Sequence, residues 1–515
     1  MILEEKRVET LIIDRDIDIQ GFVDVCRHGR KVKFSDDYCQ RVNNASNLVA
    51  KWTEEERTIY GTTTGFGVLC TEAISKEDAS ELSRRVVLSC ATSVGDPLAI
   101  EQVRGIMLMV LLNVGTGHTG ARLSTVEMYR QFLNKDLTPY VPKEGSVGYL
   151  TVEAHAALNL LGEGKAYYKG KLMKANEALK QAGLEPVSLS TKEGLVLTSS
   201  TTSPTALGAL ALYDMINSAK AAVIISSMTL EVLKGTTRAF DERVMSIRPH
   251  EEQGKVAANV RNILKDSQIC KKHYDYRIQD ALSLRCIPQL HGSVIKTLKD
   301  ALKTIETEMN SCCDNPIIWP EGDDGEAISA CNCDSSYVGI EMDSASIGAT
   351  MMAKMSERRS YRLLDSNLSG YPWFLIKNPG LNCGMMMTQY TQAGILNDMK
   401  MMCQPACVDN FPTCGGQEDY VAMGYNSSKK ALKISEMLDY ILAIELLSVY
   451  QAHQFMDEGL EPGSASKTVL NRLSKTIPVI EEDVFLNPYI EEIKELINSG
   501  TLVEIVENIT GKLEF

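Results

Sequence analysis

The longest apolar stretches of this chain repeat every three to four residues, and they lack the alternation of half-buried strands. Ala221 to Leu230, bounded by Lys220 and Glu231, is the most apolar uncharged run. A bilayer span needs about 20 such residues, so this run predicts a buried helix and no membrane crossing. The surrounding segment, 206–234, contains no proline and predicts one long helix stopped at Gly235. A second helix is expected over 431–456, with Ile434, Leu438, Ile441 and Ile444 on one face. Two more are expected over 283–309, interrupted at Pro288, and over 339–364. Period-two runs with hairpin turns are scarce. The pattern predicts a mainly α protein whose helices form a bundle about 40 Å long at the usual rise per residue.

Composition narrows the class. The chain has 515 residues, 44% hydrophobic and 23% charged, with 53 basic and 67 acidic side chains and a net charge of −14. This is the balance of a globular protein with ample core, and no basic stripe offers itself to nucleic acid. The N-terminal Met1-Ile2-Leu3-Glu4-Glu5-Lys6-Arg7 lacks the apolar core of a secretory signal, so a cytoplasmic location is expected. There the 14 cysteines should remain free thiols, most of them as small buried hydrophobes. Cys312-Cys313, Cys331-x-Cys333 and Cys403-x3-Cys407 do not have the repeated short spacing of a zinc site, and the scattered histidines add no ligand pair. No metal is expected.

Glycine-rich segments stand out against this helical background: Gly61-Thr62-Thr63-Thr64-Gly65-Phe66-Gly67, Gly115-Thr116-Gly117-His118-Thr119-Gly120, Gly145-Ser146-Val147-Gly148 and Asn378-Pro379-Gly380-Leu381-Asn382-Cys383-Gly384. None has the form or context of a nucleotide-binding loop. Taken singly, each reads as a cap or a tight turn.

Together these segments resemble the histidine and aromatic amino-acid ammonia-lyase family. Tyr60 with the following Gly-rich loop, Lys192-Glu193-Gly194-Leu195, and Gln279-Asp280-Ala281-Leu282-Ser283-Leu284-Arg285-Cys286 are similar to its signatures. Asp314-Asn315-Pro316, Ser356-Glu357-Arg358-Arg359, Asn378 to Asn382 and Gln417-Glu418-Asp419 extend the match in order toward the C-terminus. The resemblance implies an all-α fold with a long central helical bundle of the fumarase/aspartase type. A smaller N-terminal loop-and-helix region, residues 1–205, would carry the active-site loops, and 206–515 would form the bundle. It further implies a homotetramer with active sites built by three subunits, acting on a small amino-acid-like molecule.

The family's chemistry gives candidate roles. Ammonia is a poor leaving group and the β-proton is weakly acidic, so elimination needs both a base and an electrophile. In the family the electrophile is a 4-methylidene-imidazol-5-one, made when an internal Ala-Ser-Gly cyclises and loses water. By resemblance Tyr60 matches the base, Arg285 the carboxylate clamp, and Gln279 a polar neighbour. Glu418 matches the glutamate of histidine-type members.

The departures concentrate at the electrophile. Where the family reads Gly-Ser-Val/Leu-Gly, Ala-Ser-Gly and then Asp-Leu-Ala-Pro, this chain passes from Gly145-Ser146-Val147-Gly148 directly to Tyr149-Leu150-Thr151-Val152. No Ala-Ser-Gly occurs elsewhere in the chain. Ser199 stands where the family has a cofactor-holding Asn, Leu282 where it has a catalytic Tyr, Cys333-Asp334 where it has Phe-His, and Cys90 where histidine-type members have His. Leu282 cannot donate a proton, and Ser199 has fewer hydrogen-bond sites than Asn. Three readings follow. The chain is an ammonia-lyase or aminomutase if the imidazolone forms. Otherwise it is a cofactor-free homologue that binds an amino-acid-like ligand with altered or no lyase chemistry, or it is a regulatory subunit of an active relative.

Overall fold

The computed structural model describes residues 9–14, 16–456 and 459–515. The Met1–Arg7 segment, read above for a signal, lies outside the described residues. The chain divides into two units that interleave in sequence. The first comprises Met1–Tyr213, Ala301–Asp343 and Pro405–Lys429, and the second Asp214–Asp300, Ser344–Gln404 and Lys430–Phe515.

Helices dominate, and the four long ones expected from periodicity all form, with shifted ends: Thr202–Val232, Ile287–Met309, Ser336–Leu364 and Gly424–Ala452. Side chains reach back to explain two of the earlier starts. Asp334 accepts a hydrogen bond from the backbone N–H of Ser336 at 2.9 Å, and Glu153 accepts from that of Ser203 at 3.1 Å. Both place a carboxylate against unpaired N–H groups at a positive helix end. The first helix stops at Val232, before the expected Gly235, with Lys234 in the left-handed conformation at φ 57°. Gly235 is required for another reason: a Cβ there would lie 2.3 Å from Leu230 Cδ1.

In the first unit, parts of these four helices meet closely enough that a Cβ on Gly208 would lie 3.2–3.3 Å from Ile305, Met342 and Ser428. Shorter helices surround this packing, among them Ala79–Cys90, Ile100–Gly115, Thr151–Leu158 and Glu193–Thr198. The strands are brief. Leu11–Ile13 pairs in parallel with Val32–Phe34, Val94–Pro97 in antiparallel with Pro142–Glu144, and a hairpin joins Ile317–Glu321 to Asp324–Ile328. A three-stranded sheet is formed by Leu137–Pro139, Lys165–Tyr168 and Lys171–Lys174.

Polar ties fix the loops. Fully buried Lys192 donates to Asp314 at 2.6 Å and to the carbonyl of Thr119 at 2.7 Å. Adjacent Glu193 accepts from Thr125 at 2.8 Å and from Arg122 at 2.8–3.0 Å. Three of the segments singled out in the sequence therefore hold one another in place.

The second unit is built around buried ion pairing as well as apolar packing. Arg359 grips Glu445 through two bonds of 2.6 and 2.8 Å, and Ser356 and Thr229 donate to the same carboxylate. Burial is paired with hydrogen bonding on every oxygen, as a charge out of water requires. The stretch Glu193–Val232 is long and apolar enough to cross a membrane, and 78% of its most apolar window is buried inside the protein.

Candidate functional site

The first unit gathers most of the residues named from the sequence. Tyr60 enters a tight turn whose far end folds back, so that the N–H of Gly67 donates to the Tyr60 hydroxyl at 3.1 Å. Phe66 packs edge-on against the Tyr60 ring. The turn Gly67–Leu69 packs against Cys414–Gly416, and Thr413 pairs with Glu418 through a backbone bond of 2.7 Å. This arrangement brings Glu418 toward Tyr60. The Glu418 carboxylate accepts from Thr413 Oγ1 at 2.8 Å and from Tyr149 Oη at 3.2 Å.

Cys90 closes the helix Ala79–Cys90, Ser199 caps the helix Glu193–Thr198, and Cys333 lies on the loop before Ser336–Leu364. Ser199 lies beside Cys333 and lowers its thiol somewhat against the stronger effects that raise it. Burial is the first cause raising the Tyr60 phenol above its ordinary value, opposed by the Gly67 N–H and reinforced by Glu418, Cys414 and Cys333. Burial and then Glu418 likewise raise Tyr149. Cys90 rises through burial first, and Cys414 is pushed up to about 11 by burial and Glu418. Every one of these groups favours its neutral form, and the leading electrostatic influences on them are a carboxylate and thiols. Together these groups form an electronegative cluster that suits a positive charge.

Gly145, Ser146 and Gly148 make the connection into Tyr149. Ser146 Oγ accepts from the Gly148 N–H at 3.2 Å, and Thr151 Oγ1 donates to the Gly145 carbonyl at 3.0 Å. Gly148 has φ 140° and approaches Ser335 so closely that a Cβ would lie 2.7 Å from its hydroxyl oxygen. Leu150 takes a positive φ of 72°, and its N–H donates to the Thr198 carbonyl at 2.7 Å.

This geometry tests the imidazolone. That group is made from the chain itself, and here Gly148 is bonded directly to Tyr149, with helix Thr151–Leu158 starting two residues later. The phenol that follows Gly148 is committed to Glu418. The residues present do not fit the group.

Arg285 and Gln279 belong to the second unit. Arg285 Nε donates to the Asp280 carbonyl at 3.0 Å, and Asp280 in turn accepts from the Thr236 N–H at 2.7 Å. Gln279 is exposed, as is Leu282 at 61%. Sequence reasoning missed Cys331, Cys414 and Glu153 as neighbours of the pocket. Cys414 could have been found from its place four residues before Glu418 in a glycine-rich turn. Cys331 was visible only as a failed metal motif.

Comparison with known proteins agrees with this architecture. The model of the family described as "Aromatic amino acid lyase" matches residues 17–475. Histidine ammonia-lyase 1 of Fusobacterium nucleatum is 38% identical over 513 residues, covering 99% of both chains. Among solved structures, histidine ammonia-lyase from Trypanosoma cruzi superposes with a TM-score of 0.91 at 32% identity, covering 97% of this chain and 96% of that one. The ergothioneine-degrading enzyme ergothionase from Treponema denticola does so with 0.88 at 25% identity, covering 96% and 100%. With a family match over most of its length and relatives of this identity covered almost end to end, the chain belongs to the aromatic amino acid lyases.

Proposed function

We propose that the chain binds a zwitterionic, histidine-like molecule between Tyr60, Cys90, Tyr149, Cys333 and Glu418. On this reading it eliminates a nitrogen that already carries a full positive charge as a trialkylammonium group. One observation carries the reading: the electrophile's precursor is replaced by a direct Gly148-Tyr149 connection, while the base position and an anionic, phenolic wall remain. A primary amine leaves poorly without an electrophile to activate it. The nitrogen of a trimethylated betaine departs as a neutral amine, so a base alone suffices. The base takes the β-proton, the C–H electron pair becomes the Cα=Cβ bond, and the C–N pair leaves with the amine.

Tyr60 is the proposed base. Its phenol is held above the ordinary value, so in the empty pocket it keeps its proton. A trialkylammonium ion entering the same pocket lowers it by direct attraction, which couples ionisation of the base to arrival of the correct substrate. Glu418 is suited to accept from an imidazole N–H. The likeness to an ergothioneine-degrading enzyme supports this class, because ergothioneine is a trimethylated betaine with a histidine skeleton.

Assembly as a homotetramer completes the proposal, with Arg285 and Gln279 of a neighbouring copy meeting the substrate carboxylate. The protomer supports it by leaving Tyr276, Ile278 and Leu282 exposed at 61%, 103% and 61% around those two residues. Such a run of apolar side chains is expected to be covered. A cytoplasmic location accords with fourteen free thiols.

The test is to incubate the protein with L-histidine, its N-trimethyl betaine and ergothioneine, following the ultraviolet absorbance of the unsaturated acid and the amine released. Trimethylamine from a betaine, with no ammonia from histidine, is the expected result. Ammonia released readily from L-histidine would overturn it. Calorimetric binding of all three without turnover would support a binding protein in place of an enzyme.

A further inference from the structure

Beside the pocket the structure holds a second arrangement of reactive groups that elimination does not use. Cys331 and Cys333 lie on a turn closed by a bond from the Asp334 N–H to the Cys331 carbonyl at 3.1 Å. The turn is pinned on both sides. Ala330 N–H donates to Asn315 Oδ1 at 2.9 Å, Asn332 Nδ2 donates to the Cys312 carbonyl at 3.2 Å, and Asp334 caps the following helix. This places the two sulfurs 3.8 Å apart. A disulfide needs about 2.0 Å, so closing one requires a shift of about 1.8 Å within a single turn.

The two thiols are unlike. Cys331 is exposed, and Cys333 is buried at 6%. The groups facing Cys331 are Cys333, Asp334 and Glu418, and those facing Cys333 are Cys331, Ser199 and Asp314. The hydrogen bond from Cys333 brings the Cys331 thiol down to about 7, against the opposing effects of burial and the two carboxylates, while Cys333 is held high by sharing its proton and by burial. An open sulfur that ionises, backed by a closed sulfur that keeps its proton, is the division of labour between an attacking and a resolving thiol. Among the described residues, no group of three or more His, Cys, Asp or Glu side chains is arranged to hold a metal ion, so the pair is not part of a ready metal site.

We propose that Cys331 and Cys333 form a redox-active dithiol on the rim of the pocket, oxidised by low-molecular-weight organic disulfides. The Cys331 thiolate attacks one sulfur of the disulfide, the S–S bond breaks, and one thiolate leaves and takes up a proton. Cys333 then gives up its proton and attacks Cys331 Sγ, releasing the second thiol and forming the Cys331–Cys333 disulfide. The small disulfide is reduced to two thiols by the two electrons that the cysteine pair loses. Oxidation removes the thiol of Cys333, one of the residues proposed above to line the pocket, which ties the state of the pair to the pocket.

The rate advantage can be worked out. At pH 7 a thiol near 7 is half ionised and an ordinary free thiol near 8.5 about 3% ionised, a ratio of about 16 that the weaker nucleophilicity of the more acidic thiol cuts to about threefold. Exposed Cys383, far along the chain, is the comparison. The experiment treats the full-length protein with oxidised glutathione at pH 7, quenches in acid, alkylates the remaining thiols and maps the peptides by mass. Expected are a Cys331–Cys333 disulfide and a Cys331 reaction about threefold faster than that of Cys383. Cys333→Ser should stop at a glutathione adduct on Cys331, formed near the Cys383 rate. Cys331→Ser should leave Cys333 unmodified. The proposal fails if both thiols of the unaltered protein remain reduced after Cys383 has reacted, or if the adduct on Cys331 persists without closing.

Discussion

Glu153 provides a pH test of how the pocket floor is built. The residue is 1% exposed, and its carboxylate accepts the Ser203 N–H at 3.1 Å, at the start of the long helix Thr202–Val232. Burial raises the group from an ordinary 4.5 to about 7, opposed in part by the bond from the Ser203 N–H. A gap of that size corresponds to about 3 kcal/mol between the two protonation states. Below pH 4.5 the carboxyl is protonated in folded and unfolded chains alike, and it carries no penalty. Between 4.5 and 7 the unfolded chain releases the proton while the folded one keeps it, so stability falls as pH rises. Above 7 the whole of about 3 kcal/mol is lost. Glu153→Gln keeps an oxygen for the Ser203 N–H and cannot ionise, although it buries amide donors where the second carboxyl oxygen has no partner, at about 1 kcal/mol. The variant should therefore unfold at a higher temperature than the parent at pH 8, by a net effect of about 2 kcal/mol, and show no gain at pH 4.5. Scanning calorimetry at the two pH values checks this. An equal change at both would show that the carboxyl is not held protonated by burial, and a loss at pH 8 would show that the charge itself is needed to cap the helix.

Two further substitutions probe the supports of the site. Lys192→Met leaves Asp314 buried without its cation and should cost about 3–5 kcal/mol, whereas the double variant Lys192→Met, Asp314→Leu should recover much of the loss; urea unfolding of the two proteins measures the difference. Gly148→Ala forces a Cβ to 2.7 Å from Ser335 Oγ at a φ of 140°. It should cost about 2 kcal/mol, from strain and overlap together, and adding Ser335→Ala should return only the overlap part in the same assay.

The extent to which the sequence foretold this architecture varies with the range of the interaction. The four long helices were legible because their apolar periodicity is local, whereas periodicity does not reveal caps: Asp334 caps one helix from two residues away and Glu153 caps another from a distant part of the chain. Glu153 lies 50 residues from the N–H it accepts. Lys192, Thr119 and Asp314 were singled out in separate strings, and nothing in the spacing of those strings said that they form one buried knot. Tyr60, Cys333 and Glu418 were singled out through motifs, but the Tyr149 to Glu418 bond spans 269 positions and joins a residue that departs from the family pattern to one that keeps it. The Cys331–Cys333 pair was dismissed because its spacing is wrong for zinc, yet the same close spacing is what a dithiol needs.

A chain with three residues fewer at its chemical centre nevertheless keeps the family fold, and the anchoring of that loop explains how. The segment is tied on either side of the missing tripeptide. Tyr425 Oη donates to the Lys143 carbonyl at 2.8 Å, Asn426 Nδ2 to the Ser146 carbonyl at 3.1 Å, and the Leu150 N–H to the Thr198 carbonyl. Thr151 Oγ1 closes the interval by bonding the Gly145 carbonyl. Both ends are held by bonds to backbone carbonyls, so the anchors on either side are in place without the three residues. The strain of the shorter path is confined to Gly148 and Leu150, the two residues with positive φ in the segment from Ser146 to Thr151. The electrophile loop is thus a local insert on a scaffold stabilised elsewhere, by the Lys192–Asp314 and Arg359–Glu445 pairs and the buried helices. The fold is thereby retained around a shorter loop, and under the proposed function that loop is where the choice of leaving group would be set.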